Sequence, residues 1–490
     1  MLVSLEMPHS GFDLRASAHQ EMINRGFDPD WNPAIDQQVK TLEARPRATP
    51  DANVRDLRSL LWSSIDNDTS RDLDQIEVAE RTDSGIRIRI GVADVDGSVA
   101  MGSPIDQHAQ SQTTTVYTAV RTFSMLPEAL STDLTSLAEK QDRVAVVIEM
   151  VVDAAGAIAS PSVYRALVSN KAQLTYNGVG PWLEGSGAAP QKVAASVDLQ
   201  AQLRLQDEAA RALRAQRNQL GALDFDRLEA EPVIVDGEIK GIESRKDNRA
   251  SHLIEDFMIA ANEVMAQTLT RSGVAAIRRV VKSPERWPRI MDLAEQHGTK
   301  LPAQPDSGAL AAFLRQQQQT DPVHYPDLSL AVIKLLGPGE YVLVRPGDPP
   351  LGHFGLAAHD YTHSTAPNRR FADLATQRLI KAALAQQKTP YSEDALAGIA
   401  QHCTEREDAA RKVERVMNKR VAAVAFQNRR GQMFDAVVTG VTPRGVFVRV
   451  TNPLIEGRLM HGESGVDVGD RIRVTLLGTD PQHGFIDFGR

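Results

Sequence analysis

At 490 residues and 42% hydrophobic content the chain is long enough for two to four domains around sizeable cores. Its single cysteine, Cys403, excludes a disulfide framework, and the start Met-Leu-Val-Ser-Leu-Glu-Met-Pro lacks the basic and apolar regions of a signal peptide. The longest apolar run, 144–152, is interrupted by Glu149 and too short to span a bilayer, so a cytoplasmic protein without membrane contact is expected, and the net charge of −8 excludes a uniformly basic one.

Residues 1–50 read as a helical N-terminal extension, with helical patterns at 14–25 and 33–45 separated by the breaker Gly26-Phe-Asp-Pro-Asp30. A helical hairpin is the default; a helix-turn-helix that grips nucleic acid is the alternative. Next comes Ile65-Asp-Asn-Asp-Thr-Ser-Arg-Asp-Leu-Asp-Gln75, which crowds Asp66, Asp68, Asp72 and Asp74 together. Such carboxylates repel one another unless something positive sits among them, and a hard divalent cation with oxygen ligands is the usual remedy. Three readings follow. A calcium loop would use Asp66, Asp68, Ser70, Asp72, Asp74 and Glu77, but Arg71 stands where such a loop needs glycine, and Ile86-Arg-Ile-Arg-Ile90 alternates as a strand. The others are a solvated acidic turn and a catalytic metal site.

From 51 to 390 strands and helices mix. Strands are expected at 86–95, 143–152 and 232–241, the last with an Asp236-Gly237 turn inside it. Helices are expected at 195–219, 251–271 and 372–386. In 251–271 Ile254, Phe257, Met258, Ala261 and Met265 form the apolar stripe, Ser251 is the expected N-cap, and Glu255 shares a face with Asn262. Loops are expected at 178–190, at Gln316–Gln319 and at 345–352. His353, His359 and His363 invite a zinc reading, which no cysteine and no HExxH pattern supports. Arg204, Arg211, Arg214 and Arg217, and the Lys/Arg-rich stretch 401–430, could steer a polyanion or simply be solvated helix faces. A long helix ending near 428 (391–430 as a connecting segment) leads into five short strands over 431–490. That spacing suggests a closed OB-type barrel, with Phe434 and Phe447 as candidates for base stacking or for the core.

Ile65-Asp66 with Asp72-Leu-Asp74 resembles the metal-binding signature of the ribonuclease II (RNB) family of exoribonucleases. Further blocks follow in family order: Val92-Ala-Asp-Val95, Pro104-Ile-Asp106, Met125-Leu-Pro-Glu-Ala-Leu-Ser131, Gly221-Ala-Leu-Asp-Phe225, Leu253-Ile-Glu-Asp-Phe-Met258 with Asn262, His353-Phe-Gly-Leu-Ala357 and Tyr361–Asp373. The resemblance implies an α+β fold: an RNB catalytic domain at 51–390 and an S1-type RNA-binding domain at 431–490, with no room for the cold-shock-like domains that many members place first. It implies a Mg²⁺-dependent 3′-to-5′ hydrolytic exoribonuclease, Mn²⁺ substituting, that degrades single-stranded RNA 3′ ends to nucleoside 5′-monophosphates as a monomer without an obligate protein partner. Asp66, Asp72 and Asp74 would hold the metal and Arg369 would contact the scissile phosphate, with Arg370 beside it as a further RNA contact or as a structural neighbour paired with Asp373. Tyr117, Tyr176 and Glu255 (with Asp256 as rival) would meet the terminal nucleotides, and Phe434 and Phe447 would stack bases. The family usually has an aspartate where this chain has Gln75, and Asn368 is among the departures in the arginine block. A glutamine carbonyl can coordinate a cation but brings no charge, so Asp68 and Glu77 are candidate substitutes. The main alternative is an RNA-binding homologue with hydrolysis weakened by Gln75; a distant one is a calcium-binding structural protein.

Overall fold

The computed structural model describes residues 12–45, 53–225, 228–235, 238–322, 324–443 and 445–490. Two helices open it, α1 (Leu14–Asn24) and α2 (Pro33–Glu43). Their starts are set by side-chain caps: Asp13 accepts from the Arg15 and Ala16 N–H groups, and Asn32 accepts from Ala34 and Ile35 ahead of a proline at the first helical position. Gly26 turns the chain between them at φ +80°, a region that favours glycine.

The central element is a seven-stranded sheet. It takes β1 (Arg55–Asp56), β2 (Ser63–Asp66), β3 (Gln75–Thr82) and β4 (Gly85–Ala93) first. After α3 (Pro104–Gln112) and a small hairpin of β5 (Val116–Tyr117) and β6 (Thr122–Phe123), it takes β7 (Asp142–Val152), β8 (Ile158–Ser169) and β9 (Ala172–Thr175). The strand order is β1-β8-β7-β4-β3-β2-β9, parallel at β1–β8 and β2–β9 and antiparallel elsewhere. Runs such as Val146-Val-Ile148 are continuously apolar because both faces of the sheet are covered.

Next come α4 (Tyr176–Glu184), α5 (Gln191–Ala194) and α6 (Val197–Gln219), then a hairpin of β10 (Leu228–Val235) and β11 (Glu238–Lys246), then α7 (Arg249–Arg271). The expected Asp236-Gly237 turn lies outside the described residues. Three local expectations are corrected here. The cap of α7 is Asn248, with Ser251 at the third position completing a reciprocal capping box, so the helix starts two residues before the expected 251. Part of the loop expected at 178–190 is α4, which carries Pro181 within it. Gln316–Gln319 lies inside a helix, α9, where Leu310, Phe313, Leu314 and Gln317 share the buried face; low complexity did not outweigh that spacing.

The chain continues through β12 (Ala276–Val280), α8 (Trp287–Gln296), α9 (Ser307–Thr320), α10 (Tyr325–Leu336), β13 (Glu340–Val344), α11 (Phe371–Leu384) and α12 (Glu393–Phe426). Helix α12 is 34 residues long, about 50 Å at 1.5 Å per residue. It packs on α1, β13 and the final domain, a closed barrel of β14 (Met433–Thr442), β15 (Gly445–Thr451), β16 (Leu454–His461), β17 (Arg471–Asp480) and β18 (Phe485–Gly489). Among the described residues no helix is long and apolar enough to cross a membrane.

Candidate active site

The acidic segment runs from the end of β2 to the start of β3 and is tied down from outside. Ser136 Oγ donates to the Arg71 carbonyl and accepts from the Leu73 N–H, while the Leu137 N–H donates to the Leu73 carbonyl. Leu73 is buried beneath it, so the flanking aspartates are held to a fixed surface. The strands on either side exclude the helix–loop–helix frame of a calcium loop, and Asp74 is 3% exposed, which excludes a solvated turn.

Asp74 is the focus. Its Oδ1 accepts the Asn368 N–H at 3.0 Å and its Oδ2 lies 3.5 Å from Arg369 Nε. The Asn368 contact explains why that departure from the family is tolerable: the donor is main chain. The Asn368 side chain accepts from Thr135 Oγ1 at 2.6 Å. Burial pushes the Asp74 carboxyl up to about 7, against the pull of Arg369 and the Asn368 N–H. Burial raises Asp72 as well, with Asp66 adding to the rise and Arg369 opposing it. Asp66 accepts from Ser70 Oγ at 2.8 Å. Asp68 turns away to Asn177 Nδ2 at 2.5 Å. Gln75 is buried at the head of β3. Glu77 is wholly buried, neither carboxylate oxygen has a hydrogen-bond partner among the described residues, and burial drives its pKa well up.

The arginine loop is built from below. Asn262 on α7 accepts from the Ser364 N–H and Oγ and donates to the Tyr361 hydroxyl. The Ala366 N–H donates to Asp373, and β5 is stitched on by the Thr115 N–H to the Arg369 carbonyl. Arg369 is left 43% exposed. Arg370 is not free for RNA: its Nε and Nη2 each reach fully buried Asp373 at 2.8 Å, so the expected phosphate contact is corrected to a structural ion pair at the start of α11. His353, Tyr361, His363 and Tyr341 form a chain of edge-to-face rings behind this loop. His359 is exposed, and the zinc reading is dropped.

Tyr117, 44% exposed, stands in electrostatic range of Arg369, Asp72, Asp74 and Asp66. Tyr176 follows Thr175, which is registered with Asp66 across the β2–β9 pair, and is half-buried against the core. Glu255 pairs with Arg214 at 2.5 Å and lines a cavity of about 380 Å³ with Arg214, Arg217 and His353. Its rival Asp256 is fully buried and bound by Arg214 (3.1 Å) and Arg217 (2.5 Å). Those arginines thus serve internal ion pairs. On the barrel, Phe447 is 36% exposed, whereas Phe434 is packed between Phe426 and Phe488, so its expected stacking role is corrected to core packing. Asn368, Thr135 and Ser136 were missed as site-builders; no pattern in the sequence marks a main-chain donor.

The oxygen-only set of Asp66, Asp72 and Asp74 has the chemistry of a hard divalent cation site. Among the described residues the positive charge set against buried Asp74 is one guanidinium at 3.5 Å, so added positive charge fits there. Among the described residues, however, no three His, Cys, Asp or Glu side chains are gathered as a ligand group, so the carboxylates adjoin one another without forming a closed cage.

Residues 54–386 match the RNB domain family, and residues 432–490 match the RNase II-type exonuclease C-terminal S1 domain. The chain is 30% identical over 482 residues to ribonuclease R of Aquifex aeolicus, covering 92% of this chain and 67% of that protein. It is 30% identical over 495 residues to ribonuclease R 1 of Lactococcus lactis, covering 91% and 58%. The chain therefore spans roughly three fifths to two thirds of these relatives' length. Its fold is similar to Mycoplasma genitalium ribonuclease R solved in complex with ribose-methylated single-stranded RNA, with a TM-score of 0.87 at 24% identity, covering 97% of this chain and 78% of that one.

Proposed function

The chain belongs to the RNB family, and from that premise we propose that it is a 3′-to-5′ hydrolytic exoribonuclease, acting on single-stranded RNA ends and releasing nucleoside 5′-monophosphates. The observation that carries this reading is the meeting, at Asp74, of an acidic loop and an arginine loop 294 residues apart in sequence. Nucleases of this family depend on a metal, and we assign Mg²⁺, with Mn²⁺ as a substitute, to Asp66, Asp72 and Asp74, the Gln75 carbonyl lying alongside. Bound there, such an ion supplies Lewis-acid polarisation of the phosphate and a more acidic attacking water.

The chain's own residues supply the rest. Arg369 presents a planar fork to the oxygens of the last phosphodiester and balances charge that grows as water adds to phosphorus. The water oxygen bonds to phosphorus, the bond from phosphorus to the 3′ oxygen breaks, and that oxygen leaves with a proton as the new 3′-hydroxyl. Tyr117 and Tyr176 offer rings to the terminal bases. Glu255 accepts from a ribose 2′-hydroxyl, a group that DNA lacks. Phe447 gives the strand a stacking surface on the barrel. Within this reading the chain works as a monomer divided into an extension (1–50), a catalytic domain (51–390), a connecting helix (391–430) and an RNA-binding barrel (431–490).

Gln75 and the open arrangement of the carboxylates favour a second reading, RNA binding with weak hydrolysis. Incubation of purified protein with single-stranded RNA labelled at its 5′ end, with and without Mg²⁺, separates the two. Stepwise shortening with release of 5′-monophosphates supports the enzyme. Tight binding with intact RNA supports the second reading and refutes the first.

A further inference from the structure

The N-terminal extension lies outside the family match, yet it builds one wall of a pocket beside the active site. From the turn between α1 and α2, Trp31 packs against His108 of α3, with ring centroids 4.4 Å apart and ring planes tilted by 46°, and remains 37% exposed. Behind the indole is a cavity of about 200 Å³, closed on its far side by Gln112 and by Arg121 and Thr122 of the β5–β6 hairpin. Gln112 is 4% exposed, and its amide nitrogen has no hydrogen-bond partner among the described residues. An indole placed there only to close the helical hairpin would need no polar cavity and no unpartnered buried amide behind it.

The two walls lead to the acidic loop. Thr122 pairs across the hairpin with Tyr117. Glu128, also at the rim, is ion-paired at 3.0 Å with Arg71, the neighbour of Asp72. The size and charge of the pocket narrow its ligand. It falls below the roughly 300–1,000 Å³ of pockets that enclose whole small molecules, so it has room for one ring system. Asp28 and Glu128 outnumber Arg121 in its lining, so a phosphate would meet net negative charge while a neutral heterocycle would not.

We propose that Trp31 and Gln112 form a subsite for a single nucleobase, the indole stacking on its face and the amide bonding its edge. The base could belong to the RNA strand or to a free nucleoside 5′-monophosphate. The strand source rests on the reading of the chain as an RNA enzyme.

Intrinsic fluorescence contributes to the test, because of the four indoles Trp62 and Trp287 are buried, Trp182 is half-buried beneath Arg204, and Trp31 is the exposed one a base would quench. Titrations use fluorescein-labelled dodecamer oligoadenylate read by anisotropy, and adenosine 5′-monophosphate read by calorimetry, on an Asp74→Asn background with Trp31→Ala, Trp31→Phe and Gln112→Leu as variants; indole quenching is followed in the proteins that keep Trp31. Expected are saturable quenching, a loss of affinity of about 5- to 100-fold in Trp31→Ala, and retention in Trp31→Phe. Gln112→Leu, on the opposite wall, should weaken oligoadenylate while Trp31 remains in place, so the test survives if Trp31→Ala fails to fold. Quenching by the monophosphate identifies a free-nucleotide site, and quenching by the dodecamer alone identifies a strand site. Equal affinity in all four proteins overturns the proposal. Cleavage that survives in Asp74→Asn would count against the assigned function and leave the pocket standing.

Discussion

Arg369 and Arg370 are chain neighbours with opposite tasks. Arg370 holds buried Asp373 with two hydrogen bonds, so truncating it leaves a charged group buried and unpaired. Arg370→Ala should cost ~3–5 kcal/mol of stability, read from urea unfolding. Arg369 is half in solvent and opposite Asp74. Arg369→Ala should move the urea midpoint less than Arg370→Ala does, because Asp74, already pushed up to about 7, can take a proton when its partner goes, and should lower kcat by ~10²–10³-fold, the scale of losing one charge-stabilising donor. Equal effects of the two variants on stability would refute this division. Gln75→Asp restores the charge usual in the family, and the Mg²⁺ concentration for half-maximal cleavage should fall. An unchanged value would mean that position 75 does not reach the cation. At this scale the sequence showed which types of residue do the chemistry. It offered Asp373 as a partner for Arg370 but could not choose between that pair and an RNA contact, because the choice depends on Asp373 being buried.

The barrel shows how the phase of a strand decides between core and surface. Phe434 is in step with Ala436 and Val438, all buried, whereas Phe447 is out of step with Val446, Val448 and Val450. That phase was present in the sequence and distinguishes the two rings, although both read equally as stacking candidates when taken singly. Phe434→Ala should destabilise the barrel by ~3–5 kcal/mol in thermal or urea unfolding. Phe447→Ala should weaken oligonucleotide binding by ~1–3 kcal/mol with no change in melting temperature. The reverse pattern would return Phe434 to the RNA face. Elements with clear periodicity (α2, α6, α7 and the barrel strands) were legible to within a few residues, whereas α1, which has almost none, was bounded by the breaker at Gly26. Where composition stood in for periodicity, at the glutamine run and the Gly/Pro-rich 178–190 segment, helices were missed because packing of their apolar positions overrode local preference.

Across the whole molecule, the ring chain behind the arginine loop ties stability to pH. Burial, aided by Arg279, lowers His353 to about 4, and burial lowers His363 as well. Above pH ~6.5 the native and unfolded chains both carry neutral rings, so these groups add no pH dependence. As pH falls from ~6.5 towards 4, the unfolded chain binds protons that the native rings refuse, and stability falls. Urea midpoints at pH 7.5 and 5 should show this loss, and His353→Gln should flatten it; an identical slope in the variant would exclude His353 as a source. The domain order was legible because each part has its own pattern. The convergence of loops 294 residues apart was not, since no local signal encodes a long-range contact. That convergence is the central claim, and Asp74→Asn tests it most directly, because the amide keeps the shape and removes the charge. On 5′-labelled single-stranded RNA with Mg²⁺, the account predicts that the variant still binds the strand and keeps its melting temperature while cleavage is lost. Cleavage by Asp74→Asn at the wild-type rate would contradict it.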